Sequence, residues 1–335
     1  MVLRNVRSMA GRRLAAAATV LTGALIFWSA AGRALAMEKH GPPVAAGKQR
    51  VPSNARIVVA VQTRPGSALV DEEKDPYRGT DIWAVDPDAG TAARVVEKAA
   101  QPRLSADGRT MVYVTAKGIA VRSEGHPSRL VRPLAPEQTA LVLSADGQVI
   151  IYSVRRSLSG EGLFSYDSWR CTMDGGKPTK LPIPDTDQVI DWSPDGRWLL
   201  TLRWPRGGGN EQLYRMRPDG KDQRQLSQSS GLMSMSRFSP DGRRIVYMHQ
   251  DRGRNALWVM DADGRHRTKI VDYRPDWHPW ASWSPDGRHL AVVDCKPPHG
   301  SPPTDYHLDI MDADGKNRRT LRLPKALWIG MPVWR

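Results

Sequence analysis

Short apolar segments alternate with glycine-containing turns along most of this chain, and the alternation has a long period. The turn sequence Ser-(Pro/Ala)-Asp-Gly occurs five times, with separations of 39, 49, 46 and 45 residues. It begins at Ser105, Ser144, Ser193, Ser239 and Ser284. A short apolar segment ending in a bulky residue precedes each copy, and a strand-like apolar run follows it. This periodicity is typical of a repeat architecture.

The repeated turn has the chemistry of a β-hairpin connection. Pro presets φ for the second turn position, Asp tolerates the third, and Gly adopts the left-handed conformation that closes a three-residue loop with a bulge. The turn still works where Ala replaces Pro, as at Ala106 and Ala145. We therefore interpret the Asp residues of these turns as structural rather than catalytic or metal-binding.

A second glycine turn alternates with the first. The segments LWVMDADG from Leu257 and LDIMDADG from Leu308 each contain an apolar strand that ends in this turn, and another short strand follows. One unit thus contains four antiparallel strands over about 40–50 residues, which is the size of a β-propeller blade.

The two ends of the repeat region indicate how many blades there are. The first unit starts with RIVVAVQ from Arg56 and lacks an inner strand of its own, whereas the chain ends in IGMPVWR. Trp334 follows Gly315 by 19 residues, just as Trp283 follows Gly264 by 19. We therefore predict an all-β, six-bladed propeller over residues 54–335, closed by pairing of the C-terminal strand into blade 1.

These repeats resemble a known family. The sequence W-S-P-D-G at Trp192 and Trp283, combined with LWVMDADG from Leu257, is similar to the TolB-like (WD40-like, PD40-type) propeller repeat. The resemblance covers residues 54–335 and implies a periplasmic or otherwise extracytoplasmic propeller that binds a protein or a cell-envelope component. TolB itself carries an α/β domain before its propeller. Residues 37–53 are too few for that domain, so we expect the propeller alone.

Residues 1–36 have the layout of a secretory signal peptide. A basic stretch ends at Arg13, an apolar stretch follows from Leu14 to Ala31, and the A-L-A sequence that ends at Ala36 fits a cleavage site. An uncleaved membrane anchor is the alternative, because the apolar stretch is long. After cleavage we expect no membrane span, and residues 37–53 are interpreted as a linker.

The basic composition does not indicate a nucleic-acid partner. The formal net charge is +14, and removing the five arginines of the signal segment leaves 44 basic and 35 acidic residues, or +9. The remaining charge is spread thinly, which is typical of a solvated surface. Cys171 and Cys295 fall in different repeats, and we expect both to be free buried thiols. We expect a monomer.

Two faces of the propeller can be distinguished by loop length. Strands A to D of a blade run from the axis outward, so the A–B and C–D turns share one face, and the B–C and D–A loops share the other, here called the loop face. The B–C intervals vary from 17 to 28 residues, with the longest loops at 63–80, 155–167, 205–211 and 296–305. Loops on a rigid scaffold carry binding residues. The candidate binding residues on this face are Asp71, Glu72, Tyr77, Arg78, Arg206, Asp251, Arg254, Trp277 and His278.

The favoured function is an exported, non-enzymatic binding or scaffold propeller that recognises a protein or cell-envelope component through its loop face, with no cofactor. The alternative is a metal-dependent lyase or hydrolase that acts on acidic oligosaccharides. The candidate ligands for a divalent metal are the imidazoles of His249, His278, His299 and His307, because neutral imidazoles with carboxylates suit Mn or Zn. No His-Glu-x-x-His or similar ligand spacing supports this alternative, and no Gly-x-Ser-x-Gly elbow supports nucleophilic catalysis.

The signal-peptide interpretation predicts the mature N-terminus. In a bacterial host, cleavage after Ala36 should leave Met37 as the first residue of the extracytoplasmic protein. Mass spectrometry of that fraction measures the terminus directly. A chain that retains Met1 and stays in the membrane fraction would instead establish the anchor.

Overall fold

The computed structural model describes residues 57–63, 79–133, 138–157, 164–206, 210–227, 232–252, 254–275, 279–296, 305–324, 326 and 328–335. Within these residues, 25 strands form six antiparallel sheets, each built around four strand positions. The described residues form no helix with the length and apolar character needed to cross a bilayer. The prediction of an all-β propeller with six four-stranded blades is confirmed.

The blades follow one another along the chain. Blade 1 contains β1 (Ile57–Gln62), β2 (Thr80–Val85) and β3 (Ala92–Val96), with β24 (Trp328–Ile329) and β25 (Val333–Trp334) on its inner side. Blade 2 contains β4 (Ala99–Leu104), β5 (Thr110–Thr115), β6 (Gly118–Ser123) and β7 (Arg129–Pro133). Blade 3 contains β8 (Gln138–Leu143), β9 (Val149–Ser157), β10 (Phe164–Thr172) and β11 (Thr179–Lys180).

The second half of the ring has the same order. Blade 4 contains β12 (Asp187–Trp192), β13 (Leu199–Arg203), β14 (Gln212–Met216) and β15 (Arg224–Gln225). Blade 5 contains β16 (Leu232–Phe238), β17 (Arg244–Asp251), β18 (Arg254–Asp261) and β19 (Thr268–Pro275). Blade 6 contains β20 (Trp280–Trp283), β21 (His289–Lys296), β22 (Asp305–Asp312) and β23 (Arg319–Leu321).

The ring closes as the repeat spacing predicts. Two short strands, β24 and β25, take the inner position of blade 1, with Ile329 opposite Val61 and Trp334 opposite Ile57. Between them, the Gly330 amide donates to the Ala60 carbonyl at 2.8 Å. The inner edge of β1 is therefore paired by the far end of the chain.

Side-chain hydrogen bonds stabilise the Ser-(Pro/Ala)-Asp-Gly turns, in addition to the backbone conformation that the sequence predicts. The Ser105 hydroxyl donates to Asp107 Oδ1 at 2.6 Å, and that oxygen also accepts the Arg109 amide at 3.0 Å. The Thr110 amide donates to the Ser105 oxygen at 3.0 Å, and Gly108 has a φ of 72°. These hydrogen bonds lower the pKa of Asp107. The same three bonds recur in the turns beginning at Ser144, Ser193, Ser239 and Ser284.

The hydrophobic core lies between the blades. The described residues contain six apolar clusters, one at each blade-to-blade interface, because both faces of every blade are covered by a neighbour. Trp334, 6% exposed, packs between blades 1 and 6 with Ile57 and Leu308. Cys171 is a buried free thiol in the interface of blades 2 and 3, as predicted, while the Cys295 side chain lies outside the described residues.

Removing the closing strand should open the ring. Trp334→Ala deletes a large buried side chain that bridges blades 1 and 6, so we expect a loss of about 3–5 kcal/mol of unfolding free energy. Deletion of residues 328–335 should destabilise the protein further, because it also leaves β1 without an inner partner. Thermal and denaturant unfolding measure both effects, with Leu130→Ala as the control, since Leu130 is 50% exposed. A truncated chain that melts cooperatively at the parental temperature would contradict this account of closure.

Candidate functional site

Two ion pairs lie on the loop face at blades 3 and 4. Inner strand β12 starts on this face with Asp187, whose side chain is fully buried. Arg203, at the end of the neighbouring strand β13, donates to both carboxylate oxygens of Asp187 at 2.6 and 2.9 Å, and the Thr201 hydroxyl adds a third bond at 3.0 Å. Both oxygens of this carboxylate accept hydrogen bonds from the protein, so Asp187 is not available to bind a ligand. Its role is structural.

Next to the pair of Asp187 and Arg203, Arg206 forms a second ion pair that is open to solvent. Its guanidinium contacts both carboxylate oxygens of Asp185 at 2.6 and 2.7 Å, and the side chains are 64% and 47% exposed. The Asp185 carbonyl accepts the Tyr166 amide of blade 3 at 2.6 Å. The B–C loop of blade 4 is thereby tied to the connection between blades 3 and 4, which presents the Arg206 side chain in a fixed place.

A buried acid lies at the loop-face end of blade 4, just before β14. Glu211 is 3% exposed, and its Oε2 atom has no hydrogen-bond partner among the described residues. Burial raises the pKa of Glu211 from 4.5 to about 8, so the carboxyl is protonated at neutral pH. Tyr166 of blade 3 is close enough for Glu211 to affect its titration, and burial raises the pKa of this phenol to about 12. At pH 7 neither group carries a charge in the folded protein.

Comparison with known proteins shows how far this architecture is shared. No protein-family model matches the chain. An uncharacterised protein of Agrobacterium fabrum is 29% identical over 151 residues, which is 44% of this chain and 50% of that protein. The Tol-Pal system protein TolB of Anaeromyxobacter dehalogenans is 29% identical over 139 residues, which is 38% of this chain and 30% of that protein. The chain therefore matches half or less of the length of these relatives.

Solved structures extend the similarity over the whole ring. TolB from Acinetobacter baumannii aligns with a TM-score of 0.66 over 85% of this chain and 68% of that chain, at 17% identity. This chain shares the β-propeller fold of that TolB structure. An oligogalacturonate lyase in complex with manganese aligns less well, with a TM-score of 0.51 over 72% of this chain and 70% of that chain, at 13% identity. Identities this low show the shared fold alone.

The TolB-like ring places two more of the predicted binding residues on the loop face. Arg254 begins β18 and is exposed, and its backbone pairs with Asp251 at the tip of the B–C hairpin of blade 5. Arg206, Asp251 and Arg254 are thus the three predicted binding residues that lie within the described part of the chain. The other six lie outside the described residues: Asp71, Glu72, Tyr77, Arg78, Trp277 and His278.

The two histidines predicted as metal ligands that the structure describes belong to different blades. His249 lies in β17 of blade 5, and its ring packs edge-on against Trp258 with centroids 5.9 Å apart. His307 lies in β22 of blade 6, opposite Asp294. No group of three His, Cys, Asp or Glu side chains that could hold a metal occurs in the part of the chain that is described. His278 and His299 lie outside it, so the metal site stays a prediction.

Glu211 is the site residue that sequence reasoning missed. It precedes Gly220 of the C–D turn by nine residues, and Tyr166 and Asn255 hold the same place before Gly175 and Gly264. All three side chains are buried at the loop-face ends of their blades. Aligning the third strands on their turn glycines could have revealed this row of polar residues. Its burial could not have been predicted, because a neighbouring blade provides it.

The raised pKa of Glu211 predicts a pH-dependent stability. Between about pH 4.5 and 8 the folded protein keeps this proton while the unfolded chain releases it, so the contribution of Glu211 to stability falls as the pH rises. Glu211→Gln removes this titration. The unfolding free energy of the variant relative to the parent should therefore increase by about 3 kcal/mol between about pH 5 and pH 9.

Denaturant unfolding across this pH range measures the effect. Glu124→Gln is the matched control, because Glu124 is a glutamate with a 78% exposed side chain on the opposite face. Parallel pH profiles for parent and Glu211→Gln would show that Glu211 ionises normally in the folded protein.

Proposed function

We propose that this chain is an exported, non-enzymatic binding propeller of the cell envelope, and that a protein partner docks on its loop face. The observation that carries the proposal is the difference between the two faces of the ring. Five A–B turns repeat the same hydrogen bonds and the same left-handed glycine, whereas the B–C intervals differ by up to eleven residues, 28 against 17. Only the loop face thus has a shape particular to this protein.

The distribution of charge supports the same face. On the opposite face, charged residues pair within their own turn, as Arg265 does with Asp263 at 3.3 Å and Lys316 with Asp314 at 2.7 Å. On the loop face, the pair of Arg206 and Asp185 connects separate segments, and Arg254 stands on the next blade. Charges arranged across segments can provide electrostatic complementarity to a partner.

The relatives favour a macromolecular partner. The curated protein of Anaeromyxobacter dehalogenans is a Tol-Pal system protein, and the same TolB-type ring is present here. Since the match covers a minority of that protein, the partner of this chain is to be identified by experiment rather than carried over. Export follows from the predicted signal peptide of residues 1–36.

Charge reversal on the loop face should weaken partner binding. The partner is first captured from envelope extract and identified, and its affinity for purified variants is then titrated. Arg206→Glu combined with Arg254→Glu should raise Kd at least about tenfold, because two cations of the docking face become anions. Both side chains are exposed, so the unfolding free energy should change by no more than about 0.5 kcal/mol.

The matched control reverses two arginines on the opposite face. Arg197→Glu with Arg243→Glu changes the same charge just after two Ser-Pro-Asp-Gly turns and should leave the Kd unchanged. If this control weakens binding and the loop-face variant does not, the partner docks on the turn face. A bound metal with activity on uronate oligomers, both lost in His278→Ala and His299→Ala, would replace the binding function by the lyase alternative.

A further inference from the structure

We propose that the axis of the ring holds a binding site for a multivalent oxyanion, formed by the guanidinium groups of Arg103, Arg237 and Arg335. This site would lie near the turn face and is separate from the docking surface on the loop face. It therefore goes beyond the proposed function and does not depend on it.

The repeat brings Arg103 and Arg237 to one level of the axis, and Arg335 lies close to that level at the end of blade 1. Arg103 and Arg237 each stand two residues before the Ser of an A–B turn, in blades 2 and 5, which face each other across a ring of six. Asp191 holds the same place in blade 4. Arg335 directly follows β25 in blade 1, opposite blade 4. Arg237 interacts electrostatically with both other arginines, and Asp191 interacts with all three. Residues from four blades can approach one another in this way only near the axis.

The inner strands are locally distorted where these side chains emerge. The pairing of strands A and B shifts register between Ala100 and Arg103 in blade 2. It shifts in the same way before Asp191 in blade 4 and before Arg237 in blade 5. Gln101 and Met235 have positive φ values of 51° and 53° within two of these irregularities. Bulges of this kind redirect side chains and are common next to functional sites.

The contacts of Arg237 place its head group inside the ring. One terminal nitrogen donates to the carbonyls of Ile190 and Ser236 at 2.8 and 2.7 Å. The other reaches the sulfur of Met331, in the segment that closes blade 1. Blade 6 lies between blades 5 and 1 along the ring, so the side chain spans the axial region. Arg103 donates to the Pro102 carbonyl at 2.8 Å.

The three cations are not neutralised within the described part of the chain. It contains no ion pair between any of them and a carboxylate, and Asp191 instead accepts the Phe238 amide at 2.8 Å. The Nε atom of Arg335 is buried and has no hydrogen-bond partner there. Among the side chains that interact here, three guanidinium groups accompany a single carboxylate, that of Asp191. An unpaired buried charge is costly, so the arrangement favours binding of an anion.

The electrostatics agree with this arrangement. Burial, followed by repulsion from Arg237, lowers the pKa of Arg103 to about 9. Burial also lowers the pKa values of Arg237 and Arg335, and Asp191 opposes the shift in both. Arginine side chains stay cationic in proteins at neutral pH. Each side chain nevertheless keeps some exposed surface, which on an inner strand opens toward the axis.

The chemistry of the guanidinium group sets the class of ligand. Its planar donors match the geometry of carboxylate and phosphate oxygens, and these charge-assisted bonds are among the stronger ones in proteins. An anion with several oxygens can accept from more than one of the three guanidinium groups, so it fits better than chloride. Phosphate and di- or tricarboxylates share this chemistry.

Anion-dependent stability tests the site. Purified protein is melted in sodium phosphate, in sodium citrate and in sodium chloride at matched ionic strength, and calorimetric titration measures the affinity of each multivalent anion. Phosphate or citrate, or both, should raise the Tm of the parent in a saturable manner, and chloride should not. Saturation by citrate alone would assign the site to carboxylates, and saturation by phosphate alone would assign it to phosphate.

Arg335→Gln is the key variant, because its Nε has no hydrogen-bond partner to lose. It should melt at or above the parental temperature in chloride, since it removes a repelling charge, and it should bind the anion at least about tenfold more weakly. Arg103→Gln is the second variant and should behave similarly. Arg197→Gln, on an exposed turn, is the control and should retain parental binding.

The proposal fails if neither anion stabilises the parent saturably, or if Arg335→Gln and Arg103→Gln keep the parental affinity. It also fails if the control loses as much binding as the two variants, because the effect would then reflect overall charge. None of these results bears on partner binding at the loop face, which is measured with other variants and another ligand.

Discussion

The hydrogen-bonded Ser-Asp turn is the interaction on which the order of this molecule depends. The Ser hydroxyl and the Asp carboxylate together satisfy two backbone amides, so each turn has one conformation and each A–B hairpin one register. Because the turn recurs in five of the six blades, the inner strands end at the same height around the axis. Equivalent positions of distant repeats are thereby brought to a common level.

The fold could be predicted from the sequence alone because turn residues close to one another in the chain determine where each strand begins and ends. Turn residues and their spacing predicted the four strands of a blade, and the 19-residue interval from Gly315 to Trp334 predicted closure of the ring. The candidate site was only partly predictable. Arg206 could be assigned to a loop, but its pairing with Asp185 depends on how two connections meet. The burial of Glu211 depends on the adjoining blade, and no local pattern reports it.

The three arginines at the axis are a clearer example of a site that the sequence alone does not predict. Arg103, Arg237 and Arg335 are separated by more than ninety residues each, and in the linear sequence they are three among many basic residues. A thinly spread positive charge is typical of a solvated surface, and that interpretation holds for most of the chain. The ring concentrates part of that charge at one place. The two faces of the propeller then differ in kind, with loops of unequal length at one end and a set of three cations toward the other.

Closure of blade 1 by the end of the chain has a further consequence. The pairing of Val61 with Ile329 joins positions 268 residues apart, whereas the other sheets form from neighbouring segments. Until that pairing forms, blade 1 exposes an unpaired strand edge and the apolar surface that Trp334 covers in the closed ring. An open ring can also receive the closing segment of a second molecule, and this exchange competes with closure by its own segment more strongly as the protein concentration rises. Strand exchange between copies is therefore the characteristic misassembly of this architecture at high protein concentration.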